Sequence, residues 1–366
     1  MTTGAQKQNV PRLRFPEFGD EWISFEIGSL LKIGNGRDYK HLKIGKIPVY
    51  GTGGVMLYVD EYLYYGESVC IGRKGTIDKP QFVHGKFWTV DTLFYTHNFK
   101  NSIPKFVYLI FQNINWLKYN EASGVPSLSK STIEKIKVHV PTLPEQQKIA
   151  TFLTTVDDKI SLLTKKVDNL EKYKKGLMNQ VFSQKIRFKD DKGEVFSDWE
   201  IKKLGELCNI VTGKLDANAM VENGAYRFYT CAKDYFKIDN FAFDTEALLI
   251  SGNGANVGYI HYYKGKFNAY QRTYILDAFK CKIRYVEHYL TENLSLQIAR
   301  EKKDGNTPYI VLDTLKNMKI SIPKNMLEQQ KIATLLTSLD DKITHTRNQL
   351  DKTKEFKKAL MQRMFV

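Results

Sequence analysis

The sequence predicts an α+β protein in which two mixed α/β lobes form a tandem, pseudo-twofold repeat, separated by two long antiparallel coiled-coil helices. Three observations predict this fold. The chain has 366 residues, about twice the length of a usual domain. A segment of 38 residues occurs twice, at 145–182 and 328–365, with 19 identical positions. Each copy follows a stretch in which short apolar runs alternate with glycine-rich turns.

The composition suits a protein with packed cores and an anionic partner. The chain has 55 Lys and Arg against 40 Asp and Glu, a net charge of +15 that favours a polyanion but fixes no fold. Its 42% hydrophobic residues exclude wholesale disorder. No secretory apolar region and no apolar stretch of about 18 residues occurs, so we expect neither secretion nor membrane insertion. The cysteines form no C-x-x-C pair, which is typical of reduced thiols in a cytoplasmic protein.

The first lobe, predicted over residues 1–141, contains both strands and helices. It opens at Trp22, and its centre contains apolar strands around 69–71 and 87–95. A helical stretch follows at about 105–117. A β-branched strand at 137–141 then leads into the long helix.

The first long helix, predicted over 142–183, has the heptad pattern of a coiled coil. Its apolar residues recur at steps of four and three over about five heptads. These seam residues are Ile149, Leu153, Val156, Ile160, Leu163, Val167, Leu170 and Leu177. Thr142 stands three residues before Glu145, the spacing of a capping box, which places the start of the helix. A helix of 38 residues is roughly 57 Å long.

The second lobe, predicted over 184–324, repeats this order of elements. Trp199 matches Trp22, and strands are expected around 248–250 and 270–276. A helix at about 285–300 and a strand at 319–323 complete the lobe. The offset between matching residues drifts only from 177 to 183, as expected for loop insertions between two copies of one fold.

The second long helix, predicted over 325–366, keeps the same register. Its seam residues are Ile332, Leu336, Leu339, Ile343, Leu350 and Leu360. Thr346, Thr353 and Lys357 also occupy seam positions, so we expect its C-terminal half to be looser. If the helices pair with each other, nearly 80 residues act as spacer and not as domain core. The alternative is that each helix is a core helix of its own lobe.

Enzymatic motifs are not found. The sequence has no phosphate-binding P-loop, no H-E-x-x-H zinc motif and no Pro-Pro of an amino-methyltransferase. The glycines of 252–258 fit a tight turn better than a dinucleotide fingerprint. The acidic pairs at Asp157 and Asp340 lie mid-helix, where a solvated face or a partner contact explains them. We therefore predict no catalytic residue and no metal ligand.

Residues suited to nucleic-acid contacts lie in glycine-flanked loops of both lobes. Cations meet phosphates, and Arg, Asn, Gln and Lys can read base edges through hydrogen bonds. In the first lobe the candidates are Arg37, Tyr39, Lys40, His41, Thr52, Arg73, Lys74 and Thr76. In the second lobe they are Lys214, Asp216, Thr230, Asn253, Asn256, Gln271 and Arg272.

With these motifs in view, the whole chain resembles the specificity (S) subunit of type I restriction-modification systems. The resemblance rests on RFPEF at 14–18, PTLPEQQKIA at 141–150 and its counterpart at 323–333. IGRKGTIDKP at 71–80 and ISGNGANVGYI at 250–260 resemble elements of target recognition domains. The second junction departs from the pattern, because it has one extra residue and lacks the second proline.

The resemblance implies a non-catalytic DNA reader. Each lobe would be a target recognition domain for one half of a bipartite, asymmetric sequence in double-stranded DNA. The coiled coil would space the lobes and dock two modification subunits, which bind S-adenosylmethionine and methylate adenine. Restriction subunits that use ATP and Mg²⁺ would join through them, and this chain would bind none of these cofactors.

The repeat leads to the same expectation without the family. Two unlike lobes related by a pseudo-twofold axis should read two unlike half-sites, with centres about 10 bp apart if both lie on one face of the duplex. Two alternatives stay open: a DNA methyltransferase with an unrecognised site, and a coiled-coil scaffold whose lobes bind proteins.

Overall fold

The computed structural model describes residues 9–301 and 309–366 and divides into two compact units. Unit one comprises Met1–Thr164 and Asn348–Val366, and unit two comprises Lys165–Arg347. Each unit contains one lobe and a part of both long helices, and the predicted α+β class is confirmed. Within the described residues, no helix has the length and apolar character needed to cross a membrane.

The lobe of unit one is built from eight strands and short helices. The strands are β1 (Ile23–Glu26), β2 (Lys32–Asn35), β3 (Ile44–Gly51), β4 (Gly54–Val59), β5 (Tyr64–Gly72), β6 (Gln81–Thr89), β7 (Leu93–His97) and β8 (Lys137–Val140). The helices are α1 (Ile27–Leu30), α2 (Pro104–Asn113) and α3 (Lys130–Lys135), with a 3₁₀ turn at Trp116–Tyr119. The long helix α4 (Leu143–Phe182) follows.

Six of these strands form one sheet in the order β2-β7-β5-β6-β3-β4, while β1 pairs with β8. Strands β3 and β6 are parallel, and the other described pairs are antiparallel. The strand predicted at 87–95 is in fact two strands, β6 and β7. They are separated by a turn in which the N–H of Leu93 donates to the carbonyl of Val90 (3.0 Å).

The lobe of unit two follows the same plan. Its strands are β9 (Trp199–Lys203), β10 (Asn209–Thr212), β11 (Tyr226–Tyr229), β12 (Phe236–Ile238), β13 (Phe243–Ser251), β14 (Ile260–Ala269), β15 (Thr273–Asp277) and β16 (Lys319–Pro323). Its helices are α5 (Leu204–Leu207), α6 (Ile283–Glu301) and α7 (Leu312–Lys316), with a 3₁₀ turn at Ala217–Ala219. The second long helix, α8 (Met326–Met364), follows.

The sheet of unit two has the order β10-β15-β13-β14-β11-β12, and β9 pairs with β16. Strand for strand, this is the order found in unit one, including one parallel pair, β11 with β14. The faint sequence similarity of the two lobes therefore reflects a complete structural repeat.

In unit one, the first turns of α4 pack against the last turns of α8, so the helices are antiparallel there. Leu153 and Leu360 lie in one buried cluster together with Trp22 of the lobe. The ring of Phe365 stacks on Phe106 with centroids 5.6 Å apart. The expectation of a looser C-terminal half of α8 is wrong, because Met364 and Phe365 are buried in the lobe's core.

In unit two, the pairing is repeated with the roles of the helices exchanged. The last turns of α4, including Leu177 and Val181, pack against the first turns of α8, including Ile332 and Leu336. All four side chains belong to the same buried cluster as the lobe's β-strands and α6. The helix ends are therefore parts of domain cores, which corrects the expectation that both helices serve as spacer alone.

Two lysines at seam positions form ion pairs with aspartates of the facing helix. In unit one, Lys357 of α8 lies 2.7 Å from a carboxylate oxygen of Asp157 on α4. In unit two, Lys174 of α4 lies 2.5 Å from Asp340 on α8. The two pairs are equivalent under the 183-residue repeat. A charged seam residue with one matching partner favours a single register and the antiparallel orientation over alternatives.

A buried arginine–glutamate pair joins each lobe's opening segment to the start of its helix. Arg14 donates from Nε and Nη2 to the two oxygens of Glu145, both at 2.7 Å, and Glu145 is 1% exposed. Arg187 makes the same bidentate contact with Glu328 at 3.0 and 3.1 Å. The helix starts are where the sequence predicts them, but these carboxylates bind arginine, a role that the capping-box prediction did not include.

The neighbouring glutamines tie the same helix starts to loops of the lobe. Gln146 accepts from the N–H of Ile103 (3.0 Å) and donates to the carbonyl of Pro141 (2.9 Å). Gln329 accepts from the N–H of Lys282 (3.0 Å) and donates to the carbonyl of Pro323 (2.8 Å). The duplicated Glu-Gln pair is therefore an internal joint of each unit.

We expect Arg14→Ala to destabilise unit one by about 3–5 kcal/mol, because it leaves the buried Glu145 carboxylate without its charged partner. Chemical denaturation followed by circular dichroism measures the loss. Lys130→Ala is the matched control: it removes an exposed pair with Glu134 and should change stability little. Equal stability of the two variants would contradict this role for the buried pair.

Candidate nucleic-acid interface

In unit one, the loops that carry the predicted cations converge on the β6–β7 turn. The N–H of Arg37 donates to the carbonyl of Thr89 (2.9 Å), and the N–H of Arg73 donates to the carbonyl of Thr92 (2.8 Å). The N–H of Val90 donates to the carbonyl of Tyr50 (3.1 Å), which lies just before the β3–β4 turn that contains Thr52. Backbone hydrogen bonds thus bring three separate sequence segments together.

The loop between β2 and β3 is anchored by a hydrogen bond from the side chain of Trp88. The indole Nε1 of Trp88 donates to the carbonyl of Arg37 (3.0 Å), and the ring of His41 lies edge-on to Trp88 at 5.9 Å. The side chains of Arg37, Lys40 and His41 are exposed. A fixed backbone that carries the exposed cations Arg37 and Lys40 is suited to phosphate contacts.

The loop at 73–76 borders a cavity that was not predicted from the sequence. The carbonyl of Arg73 accepts from the N–H of Leu128 (2.9 Å), and the N–H of Gly75 donates to Pro126 (2.8 Å). These bonds bring the segment 120–129 beside Arg73 and Lys74 around a cavity of about 690 Å³. The Gly-Val-Pro sequence at 124–126 signals a turn, but nothing in the sequence relates it to the cationic loop.

In unit two, the equivalent loops converge on the turn between β14 and β15. The N–H of Gln271 donates to the carbonyl of Leu215 (2.9 Å), and the N–H of Gly252 donates to the carbonyl of Arg272 (2.8 Å). The N–H of Tyr270 donates to the carbonyl of Tyr229 (2.8 Å), the residue before Thr230. The loops at 214–216, 252–256 and 270–272 therefore meet as their counterparts in unit one do.

The candidate side chains of unit two fall into two groups. Thr230 is only 6% exposed, and Asn256 donates to the carbonyl of Cys231 (3.0 Å), so both are engaged within the lobe. Lys214, Asp216, Gln271 and Arg272 are exposed, and Asn253 is partly exposed. A partner that approaches these loops would therefore meet cations and one carboxylate, whereas the first group holds the loops in place.

The histidine beside the loops of unit two, His261, has a shifted pKa. Burial lowers the pKa of His261, whose Nε2 is hydrogen-bonded to the carbonyl of Ala232 (3.0 Å). The imidazole is then neutral, so positive charge comes from the arginines and lysines. Within residues 9–301 and 309–366, no group of three or more His, Cys, Asp or Glu side chains is placed to hold a metal ion.

An arginine–tyrosine stack beside this site was also not predicted. The guanidinium of Arg227 on β11 lies 4.3 Å from the ring centre of Tyr235 and 4.4 Å from that of Tyr263. It also donates to the hydroxyl of Tyr229 (3.3 Å), which raises the pKa of Arg227. The alternating polar and aromatic residues of 226–229 predict a strand, but not which side chains stack across it.

The family model of the type I restriction modification DNA specificity domain matches the chain twice, over residues 19–172 and 196–353. These two matches cover most of the chain, and each begins in one lobe and continues into the following long helix.

Curated relatives carry consistent descriptions. The chain is 36% identical over 170 residues to the type I restriction enzyme EcoDI specificity subunit of Escherichia coli, covering 46% of this chain and 37% of that subunit. It is 28% identical over 305 residues to the MjaVIII specificity subunit of Methanocaldococcus jannaschii, covering 72% and 70%. A putative MjaX specificity subunit from the same organism is 26% identical over 97% of this chain and 87% of the relative.

Among solved structures, a type I restriction-modification S subunit from M. genitalium has the same fold. It superimposes with a TM-score of 0.78 at 17% identity, over 98% of this chain and 99% of that one. A chain from a type I R-M complex gives a TM-score of 0.52 at 14% identity, over 94% and 96%. At these identities the likeness concerns the fold alone.

We expect Gly36→Ala to displace the cationic loop of unit one. A Cβ at this position would lie 1.8 Å from the carbonyl oxygen of Val90, so the backbone must move. Amide hydrogen exchange should rise at residues 36–42. Gly53→Ala is the control, because a Cβ there has no neighbour within 4 Å. Unchanged exchange in Gly36→Ala would show that the loop tolerates the side chain.

Proposed function

Because this chain belongs to the type I restriction modification DNA specificity family, we propose that each of its lobes reads one half of a bipartite, asymmetric DNA target. The proposal rests on one observation: the two units repeat the same sheet and the same loop convergence but present different side chains. A common scaffold with different residues at its loops is the arrangement expected for two readers of different sequences.

The difference is clear at equivalent positions of the two units. The turn that organises unit one carries Asp91 and Thr92, and its counterpart in unit two carries Gln271 and Arg272. The start of β3 carries an exposed Ile44, beside Gly45, which packs against the backbone of Val59. The matching Gly224 packs against Ile238 and follows Asn223. The proposal is therefore that the half-sites differ in sequence.

Phosphate contacts supply much of the proposed affinity. Arg37, Lys40, Arg73 and Lys74 of unit one are exposed, and none of them takes part in a described salt bridge. Cations of this kind release condensed counterions on binding, so affinity should fall steeply as salt rises. Base contacts then distinguish sequences, whereas phosphate contacts position the lobe.

The long helices have a second proposed role, as docking sites for two copies of a modification subunit. Three exposed residues at spacings of four and seven lie along one face of α4: Gln147, Thr151 and Asp158. The same residues recur at Gln330, Thr334 and Asp341 of α8, also exposed. Most other exposed positions of the helices have diverged, although Lys159, Asp168 and Lys175 also recur, at Lys342, Asp351 and Lys358. An exposed face retained in both copies supports two copies of one partner.

The catalytic steps are assigned to partners in this proposal. S-adenosylmethionine would bind the modification subunits, and ATP and Mg²⁺ would bind restriction subunits recruited through them. The paired helices would set the number of unread base pairs between the half-sites. If the chain were a DNA methyltransferase with an unrecognised site, the isolated chain would transfer methyl groups. If it were a coiled-coil scaffold for proteins, the assembled complex would show no sequence preference on DNA.

Exchange of residues 187–323 for the lobe of another specificity subunit should change one half of the recognised sequence and leave the other half unchanged. The two lobes have separate recognition loops, so their readout should be independent. Methylation mapping of DNA from cells that carry the complete system measures this. A change in both halves, or in neither, would contradict the assignment of one half-site to each lobe.

Thr151→Arg should remove one copy of the modification subunit, and Thr151→Arg with Thr334→Arg should remove both, because a bulky cation disrupts each copy of the exposed face. Native mass spectrometry of the assembled complex gives the stoichiometry. Asn179→Arg with Gln362→Arg is the control, at exposed positions that differ between the helices and lie 28 residues further along each helix than Thr151 and Thr334. Retention of both copies by the first double variant would refute this docking face.

A further inference from the structure

We propose that Asp216 and Gln271 of unit two form a paired acceptor that recognises the exocyclic amino group of cytosine or adenine in the major groove. This inference rests on the proposed function, since it assigns a chemical preference to the half-site read by unit two. Asp216 and Gln271 are both exposed, on different loops of the candidate interface.

Backbone contacts hold the two residues side by side before any ligand binds. Leu215, which precedes Asp216, forms a parallel bridge with Tyr270, which precedes Gln271. The N–H of Gln271 donates to the carbonyl of Leu215 (2.9 Å). The carbonyl of Asp216 accepts from the N–H of Ala219 (3.1 Å) at the start of the 3₁₀ turn. The pair therefore has a preorganised geometry.

The two side chains are joined by one hydrogen bond, which leaves two acceptor oxygens unused. Nε2 of Gln271 donates to Oδ1 of Asp216 at 2.9 Å. This bond fixes the amide orientation and uses one of its two hydrogens. The second carboxylate oxygen of Asp216 and the carbonyl oxygen of Gln271 are then available to accept hydrogen bonds.

In the major groove, only an amino group satisfies such acceptors. Cytosine presents the N4 donor and adenine the N6 donor, whereas guanine presents N7 and O6 and thymine presents O4, all acceptors. A guanine or thymine on the strand that faces the pair would leave both of these oxygens without a donor. The pair thus favours cytosine or adenine on that strand and disfavours the reversed base pair.

The charge of Asp216 supports the same conclusion. An exposed carboxylate in a surface that approaches DNA is repelled by phosphates unless a base donor compensates it. Lys214 and Arg272 are exposed in the same converging loops and can bind the flanking phosphates. The positions of unit one that match by offset are Tyr39 and Asp91, so the carboxylate–amide pair belongs to the second lobe alone.

The test uses the assembled complex and a DNA library randomised across the target. For the unaltered chain, one position in the half-site of unit two should prefer cytosine or adenine by about 5- to 150-fold, the range of a good base contact. Asp216→Ala should abolish that preference and leave every other position within about twofold. Asp239→Ala, which removes an exposed carboxylate of the same unit, should keep the full preference.

A base analogue separates recognition of the amino group from a general effect of charge. Replacing the preferred base by its analogue without the exocyclic amino group should weaken binding by the unaltered chain as much as Asp216→Ala does. Asp216→Ala and the base analogue together should weaken binding no more than either change alone, because both remove the same contact. The preferred base itself shows whether the source of the amino group is cytosine or adenine.

Two results would overturn the inference while the proposed function stands: a target whose half-sites are unchanged in Asp216→Ala, or a uniform gain in affinity for all sequences in that variant. The second result would show that the carboxylate only repels DNA. If the unaltered complex has no sequence preference at any position, the proposed function itself fails, and the experiment distinguishes that outcome from the other two.

Discussion

The buried arginine–glutamate pair is the constraint on which each unit depends. A carboxylate as buried as Glu145 or Glu328 must keep its charged partner, so the opening segment with Arg14 or Arg187 is fixed to the first turn of a long helix. The adjacent glutamines bind backbone groups on either side of this joint. These requirements explain why the helix starts are nearly identical in the two halves while the lobes have diverged.

The loops of the candidate interface are held in a different way, through backbone groups and not through particular side chains. Their positions are set by backbone hydrogen bonds to one turn, at Val90–Thr92 in unit one and Tyr270–Arg272 in unit two. Backbone groups are the same in every residue except proline, so the side chains of these loops can change without loss of the framework. A fold of this kind can alter what it binds while its architecture stays constant.

The sequence predicted the features that depend on local period. The heptad seam placed both helices within a few residues, and β8 and β16 were found from their β-branched residues. The sequence did not predict features that depend on contacts between residues far apart in the chain. Glu145 has the spacing of a cap, yet Arg14, 131 residues away, determines its role. The break between β6 and β7 lacks glycine and proline, and the segment 120–129 reaches Arg73 only through tertiary contacts. Local patterns contain no information about such pairings.

Unit one is formed from two separate parts of the chain, so its folding during synthesis depends on residues that are made much later. Its core is completed by Leu360, Met364 and Phe365, which are synthesised more than 200 residues after the lobe's last strand, Lys137–Val140. At typical rates of translation, the first lobe must wait on the order of tens of seconds for these residues. Until then, Trp22 and Phe106 lack the ring of Phe365 that covers them. An apolar surface of the first lobe therefore stays open to proteases and chaperones during this time, and the lobe can complete its core only after the second lobe has been synthesised.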